Sequence, residues 1–165
     1  MHRNNQNEYV MNDVICSTVA SALDEMELHY SHEGELFMLT MCEEEANFPV
    51  RIIADDEQSV LTTIGYFPVK ISQMNIDKMY KVINDMNYRQ LIGSFVIDSE
   101  DGELSYRISQ NADDGAINES VVRICLCQVV ARMKNAYEDI MKAMYGGPQM
   151  NFSFATESKS AQQPS

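Results

Sequence analysis

Residues 91–109, LIGSFVIDSEDGELSYRIS, alternate side-chain character on both sides of an Asp101-Gly102 dipeptide. In the run 91–98, Phe95 and Ile97 fall on one side of an extended chain. In the run 103–109, Leu104, Tyr106 and Ile108 alternate with Ser105 and Arg107. Two period-two runs joined by a strong turn dipeptide predict an antiparallel β-hairpin.

Upstream of the hairpin the period changes from two to that of a helix. Over residues 75–87, Ile76, Met79, Tyr80, Ile83 and Met86 share a face behind Asn75, a residue type that caps helix N-termini. Asn87 is expected to close this helix, because asparagine tolerates the left-handed conformation. Three apolar runs precede it, 36–42, 48–54 and 60–67, and Pro68 stands just past the third. Separated by short polar connections, they predict an antiparallel meander. Phe37, Leu39 and Met41 alternate with Leu36, Met38 and Thr40, so either series suits the core. Residues 30–34 read as a turn. Residues 12–28 place Ile15, Val19, Leu23 and Met26 on one helical stripe, with Asn12 or Asp13 as N-cap.

Downstream, residues 118–145 carry the stripe Val122, Cys125, Val129, Met133, Tyr137, Ile140 and Met144, and Gly146-Gly147-Pro148 stops the helix. Its first half is apolar on most sides and is expected to be the more buried half; a kink or break near Asn135 is compatible with the pattern. The order is α-βββ-α-ββ-α, an α+β fold with an antiparallel sheet packed with helices. The expected division is a flexible N-terminus at 1–9, one domain at 10–146 and a disordered polar tail at 147–165.

Composition bounds the function. A chain of 165 residues and 18.8 kDa buries about 70% of its unfolded surface, enough for a real core. Twelve basic against 25 acidic residues leave a net charge of −13, which repels phosphate backbones and anionic lipid. The expected partners therefore exclude nucleic acid and membrane, and no run approaches the roughly 20 apolar residues of a span. Cys16, Cys42, Cys125 and Cys127 lack framework spacing, which points to a reducing cytoplasm. Cys125 and Cys127 are read as small core side chains.

Catalytic and metal-binding patterns are weak. His29 and His32, near Glu33, have a ligand-like spacing but fall at an expected turn, with Cys42 as a distant further candidate. The acids Asp98, Glu100, Asp101 and Glu103 place Gly102 fifth, where a calcium loop wants it sixth, so a hairpin turn accounts for them. No nucleophile elbow and no phosphate-cradling glycine loop is present. The expectation is a nonenzymatic protein that needs no cofactor or metal. Twelve methionines allow two explanations, an adaptable protein-binding surface or a core filled by flexible side chains.

The segment Met79-Tyr80-Lys81-Val82-Ile83-Asn84-Asp85-Met86-Asn87, followed by Gly93-Ser94-Phe95-Val96-Ile97-Asp98 and Asp101-Gly102-Glu103-Leu104-Ser105-Tyr106-Arg107, resembles the YbjN family. There a helix ends in a hydrophobe-asparagine pair and leads into a strand, an acidic-glycine turn and a second strand. The resemblance implies the fold of type III secretion chaperones and a small, acidic, often dimeric bacterial protein of the cytoplasm. Such a protein holds another polypeptide or regulates sensory signalling by binding, and no catalytic residue travels with the pattern. In that fold the second helix commonly contributes to a dimer interface, which makes Met74, Met79, Val82 and Met86 the candidate dimer or partner surface. Two further readings stay open: a small-molecule sensor whose ligand alters dimer or partner affinity, and a hydrolase with dispersed carboxylates.

Overall fold

The computed structural model describes residues 14–146. The expectations for 1–9 and 147–165, and the capping roles of Asn12 and Asp13, lie outside them. Within them run α1 (Val14–Glu25), β1 (Tyr30–Glu33), β2 (Leu36–Cys42), β3 (Asn47–Asp55), β4 (Val60–Lys70), α2 (Ile76–Tyr88), β5 (Ser94–Ile97), β6 (Glu103–Asn111) and α3 (Glu119–Tyr145). The strands form one antiparallel sheet in the order β1-β2-β3-β4-β6-β5.

The hairpin forms as β5 and β6, with Phe95 opposite Tyr106 and Ile97 opposite Leu104. Its turn requires Gly102, whose φ is +76° and where a Cβ would lie 2.1 Å from the Ile71 carbonyl oxygen. The Ile71 N–H donates to the Gly102 carbonyl at 2.8 Å, and Lys70 pairs with Asp101, so the hairpin tip is tied to the end of β4. The strand before the turn is shorter than its apolar run. Leu91 and Ile92 belong to the exposed α2–β5 connection.

Two further expectations are corrected. Residues 30–33 form a strand, not a turn, and pair with β2 from Tyr30 opposite Leu39 to Glu33 opposite Leu36. Only Tyr30 of the four is even half-buried, as suits a short polar edge that resists further pairing. β4 continues through Pro68 to Lys70, because the register shifts between Tyr66 and Lys70 and releases the proline from the ladder.

Register settles which side of the sheet is the core. Phe37, Ile52, Thr63 and Ile108 line up in one row, and Leu39, Val50, Gly65, Tyr106 and Phe95 in the next, all on the face that the helices cover. β2 thus buries Phe37 and Leu39. α1 contributes Ile15, Val19 and Leu23 to a cluster with β2, β3 and the first half of α3; α2 and the second half of α3 cover β5, β6 and the end of β4.

α3 is continuous through Asn135 and links the two clusters. It crosses the sheet at Gly65, where an added Cβ would meet Met133 Sδ at 2.1 Å and Val129 Cγ1 at 2.7 Å. Its first half is less enclosed than its composition predicts: Ile124 is half exposed, and Cys127 faces solvent while Cys125 is buried. The two cysteines sit two positions apart, about 200° around the helix, so only one can face the sheet. Desolvation raises the Cys125 thiol pKa above its ordinary value. α1 receives a cap from across the chain, the Asp56 carboxylate accepting the N–H groups of Ile15 at 3.0 Å and Cys16 at 3.4 Å.

Candidate functional site

The methionine-rich surface expected on α2 is mostly interior. Met79 is fully buried, Val82 is 9% exposed and Met86 7%, all three in the cluster beneath α2; Met74, in the turn before the helix, is 93% exposed. Positions 79, 82, 83 and 86 form one helical stripe, which the sheet takes as its own cover. Tyr80, expected on the buried face, lies at its exposed border. Met133 and Met144 are also buried, so for these side chains core filling is the observed use. The apolar groups presented around α2 are Met74, Tyr80, Tyr88, Leu91 and Ile92, of which Leu91 is 99% exposed.

At the helix end, Asn87 does something the left-handed expectation missed. It stays helical, and its side-chain amide donates to the Phe95 carbonyl at 2.9 Å while its oxygen accepts the Phe95 N–H at 2.8 Å. This is the pair of bonds that a neighbouring strand would make. Asn87 therefore closes part of the outer edge of β5 and fixes the hairpin to α2. Beside it, the Tyr106 hydroxyl donates to the Ile92 carbonyl at 2.5 Å. Burial pushes the Tyr106 pKa up, against a smaller opposite pull from the Arg132 charge, so the phenol remains a donor.

Between α2 and α3 lies a cleft of about 220 Å³, with Met86, Phe95 and Ala136 as apolar lining and Arg89, Arg132 and Asp139 as charged lining. This is smaller than the roughly 300 Å³ at which ordinary ligand pockets begin.

The second candidate is the sheet face opposite the helices. One row reads Met38, Arg51, Ile64, Arg107, Ser94 from β2 to β5. Leu36, Met38, Ile53, Ile64 and Val96 on this side belong to neither core cluster. Ile64 is nevertheless only 4% exposed. The register sets Arg51 and Arg107, both exposed, directly on either side of it, and long cationic side chains cover apolar neighbours with their stems while their heads stay in water. The Arg51 guanidinium carbon stands 5.0 Å from the Tyr66 ring centroid, a cation–π contact. A recess of about 340 Å³ opens beside this group, lined by Tyr66, Val96, Ser105 and Arg107 and bounded at the hairpin end by Asp98 and Glu103. Sequence reading marked Arg107 only as a polar alternate of its strand. The pairing of Arg51 with Arg107 across Ile64 needs the register.

The remaining candidates are dispersed. His32 stacks on Phe37 with centroids 4.0 Å apart and bonds the Gly34 carbonyl, while His29 lies in the connection before β1. Asp98 and Asp101 accept the N–H groups of Glu100 and Glu103 within the hairpin loop. Among the described residues no group of three or more His, Cys, Asp or Glu is gathered to hold a metal, and no helix is long and apolar enough to cross a membrane.

The α+β architecture, with three helices on one face of a six-stranded antiparallel sheet, is that of type III secretion chaperones. It matches the ExsC–ExsE complex structure with a TM-score of 0.55 at 11% identity over 75% of this chain and 91% of that one. It matches the HopA1–SchA chaperone–effector complex at 0.52 and 11% identity over 74% and 91%, and E. coli YbjN at 0.52 and 11% over 78% and 87%. The chain belongs to the YbjN family, described as "Putative bacterial sensory transduction regulator", whose sequence profile matches residues 16–140. Comparison with curated proteins gives no significant match.

Proposed function

We propose that this protein is a noncatalytic binding module that holds another polypeptide, acting in the bacterial cytoplasm as a chaperone or as a regulator in signal transduction. The observation that carries the reading is the sheet face that no helix among the described residues covers, whose apolar side chains Met38, Tyr66 and Val96 flank a pair of arginines. The fold supports it, since it is shared with a chaperone–effector complex. The test is recovery of bound protein with the tagged chain from the native host under several growth conditions. Failure to recover any protein partner would overturn the reading.

We further propose a homodimer joined through the apolar side chains around α2. Net charge −13 opposes association of two copies, so apolar contact has to hold them. Met74 and Tyr80 are the residues to change, because Val82 lies inside the protomer and a carboxylate there would disrupt the core. Sedimentation should show a dimer that Tyr80→Asp shifts toward monomer; a monomeric wild type at tens of micromolar contradicts it.

The cleft with Arg89, Arg132 and Asp139 supports a second reading, a sensor whose small anionic or zwitterionic ligand alters dimer or partner affinity. Thermal shift across a metabolite library separates the two, since only the sensor is stabilised by a small molecule.

A further inference from the structure

We infer that the open sheet face docks an extended polypeptide segment carrying two carboxylates on one side, held by Arg51 and Arg107 over the Ile64 and Tyr66 surface. The inference rests on the protein-binding reading above and names the chemistry of the segment that is held. It starts from the charge distribution. In a chain with 25 acidic and 12 basic residues, acids are available to pair with almost any base. Lys70, Arg123, Lys134 and Lys142 are paired in this way, with Asp101, Glu25, Glu43 and Glu138. Arg51 and Arg107, like Lys78, Lys81 and Arg132, form no salt bridge with the described residues; what sets the two arginines apart is their place at the middle of the sheet, with one strand between them.

The acids on this side stand at the strand ends, Glu33, Asp55 and Glu103. The centre is thus a cationic and apolar patch inside an acidic outline. Bare phosphate chains and acidic surfaces meet that outline first and are repelled. A short segment can enter between the strand ends and make local contact.

Geometry narrows the occupant. Two strand spacings separate the Arg51 and Arg107 backbones by about 10 Å, and both side chains are long and flexible. An extended peptide places residues i and i+2 on one side about 7 Å apart, within reach of both guanidiniums. The recess lined by Tyr66, Val96 and Ser105 then lies where an apolar side chain of the same segment would anchor. Asp98 and Glu103 at its far end confine the carboxylates to the arginine side. Ile64 is already shielded and Arg51 already rests against Tyr66, so docking desolvates preformed contacts and does not have to build them.

The test uses the full chain and a terminally capped, coumarin-labelled peptide, Leu-Glu-Leu-Glu-Leu, in fluorescence anisotropy, beside versions with Gln or Lys in place of Glu. The wild type should bind the Glu peptide about tenfold more tightly than the Gln peptide, the ratio expected for charge-assisted bonds. The Arg51→Gln/Arg107→Gln double variant should lose this preference while keeping the wild type's circular dichroism and a cooperative melt, both residues being exposed. Equal affinity for Glu and Gln peptides, or preference for Lys, overturns the proposal. So does displacement of the peptide by single-stranded DNA, which would make phosphate the ligand. A wild-type dimer that the double variant splits also overturns it, by assigning the face to a second copy. Recovery from the native host separates the two levels. If the double variant retains the wild type's protein partner, this docking face is refuted and the protein-binding reading stands; if the wild type recovers none, that reading falls by its own test.

Discussion

The two faces of the sheet are built from the same strands in the same register and differ by a step of one residue. On the covered side a row reads Phe37, Ile52, Thr63, Ile108; one step along, on the open side, it reads Met38, Arg51, Ile64, Arg107. The first row meets α1 and α3, and its members are enclosed so completely that Phe37 and Ile52 retain no exposure. Among the described residues no helix covers the second row, yet Ile64, set between Arg51 and Arg107, is only 4% exposed. The contrast teaches that an uncovered sheet can be closed to water without being closed to a partner. Charged heads and aliphatic stems form a surface that is stable when bare and still has apolar area and directed donors to offer.

The largest expected difference between the faces lies in truncation. Phe95→Ala, Leu104→Ala and Tyr106→Ala should each cost about 2–5 kcal/mol in urea denaturation, since all three sit in the core cluster. Ile97→Ala should cost less, Ile97 being half-buried. On the other side, Val96→Ser should stay within about 0.5 kcal/mol. Unchanged midpoints for Phe95→Ala and Tyr106→Ala would invert the assignment of the faces. Gly65→Val should cost about 1–3 kcal/mol by pushing α3 off the sheet.

Smaller effects should come from the two polar ties that hold helices to the covered face. Asn87→Ala removes both bonds to Phe95 and should cost about 1–2 kcal/mol; hydrogen exchange should show β5 loosening first. Asp56→Ala uncaps α1 and should cost about 1 kcal/mol, read as a lower denaturation midpoint. If Asn87→Ala leaves β5 exchange unchanged, the edge is held by packing alone.

These features differ in how far the sequence discloses them. The hairpin is legible because alternation and turn chemistry agree within 19 residues, and the three helices because their stripes are long. β1 is not, since YSHE offers one aromatic and three polar side chains, and only pairing with β2 makes it a strand. Val82 is misplaced by sequence reading because it and Ile83 are consecutive and both turn inward, a wider buried stripe than strict spacing suggests. Asn87 is visible as part of the family pattern, but a helix-closing asparagine and a strand-edge clamp look alike until Phe95 is beside it. The arginine pair is least legible of all, because Arg51 and Arg107 are 56 positions apart and meet only through two strand registers.

The smallest test contrasts two neighbouring threonines. Thr63 faces the helices, is fully buried, and its hydroxyl has no hydrogen-bond partner among the described residues; Thr62 faces the open side, where its hydroxyl lies 3.0 Å from Ser109 Oγ. In the unfolded chain both hydroxyls are hydrated, so folding strips water from Thr63 without replacement and leaves Thr62 paired and partly wet. Replacing a hydroxyl by a methyl should then stabilise one position and not the other. Thr63→Val should raise stability by about 1 kcal/mol and the melting temperature by about 3 °C, while Thr62→Val should stay within about 0.5 kcal/mol. Equal responses would mean that the two faces impose the same polarity on a side chain of this size. A loss at Thr63 would mean that an ordered water satisfies the hydroxyl inside the covered layer, and that this layer is less dry than its apolar rows imply.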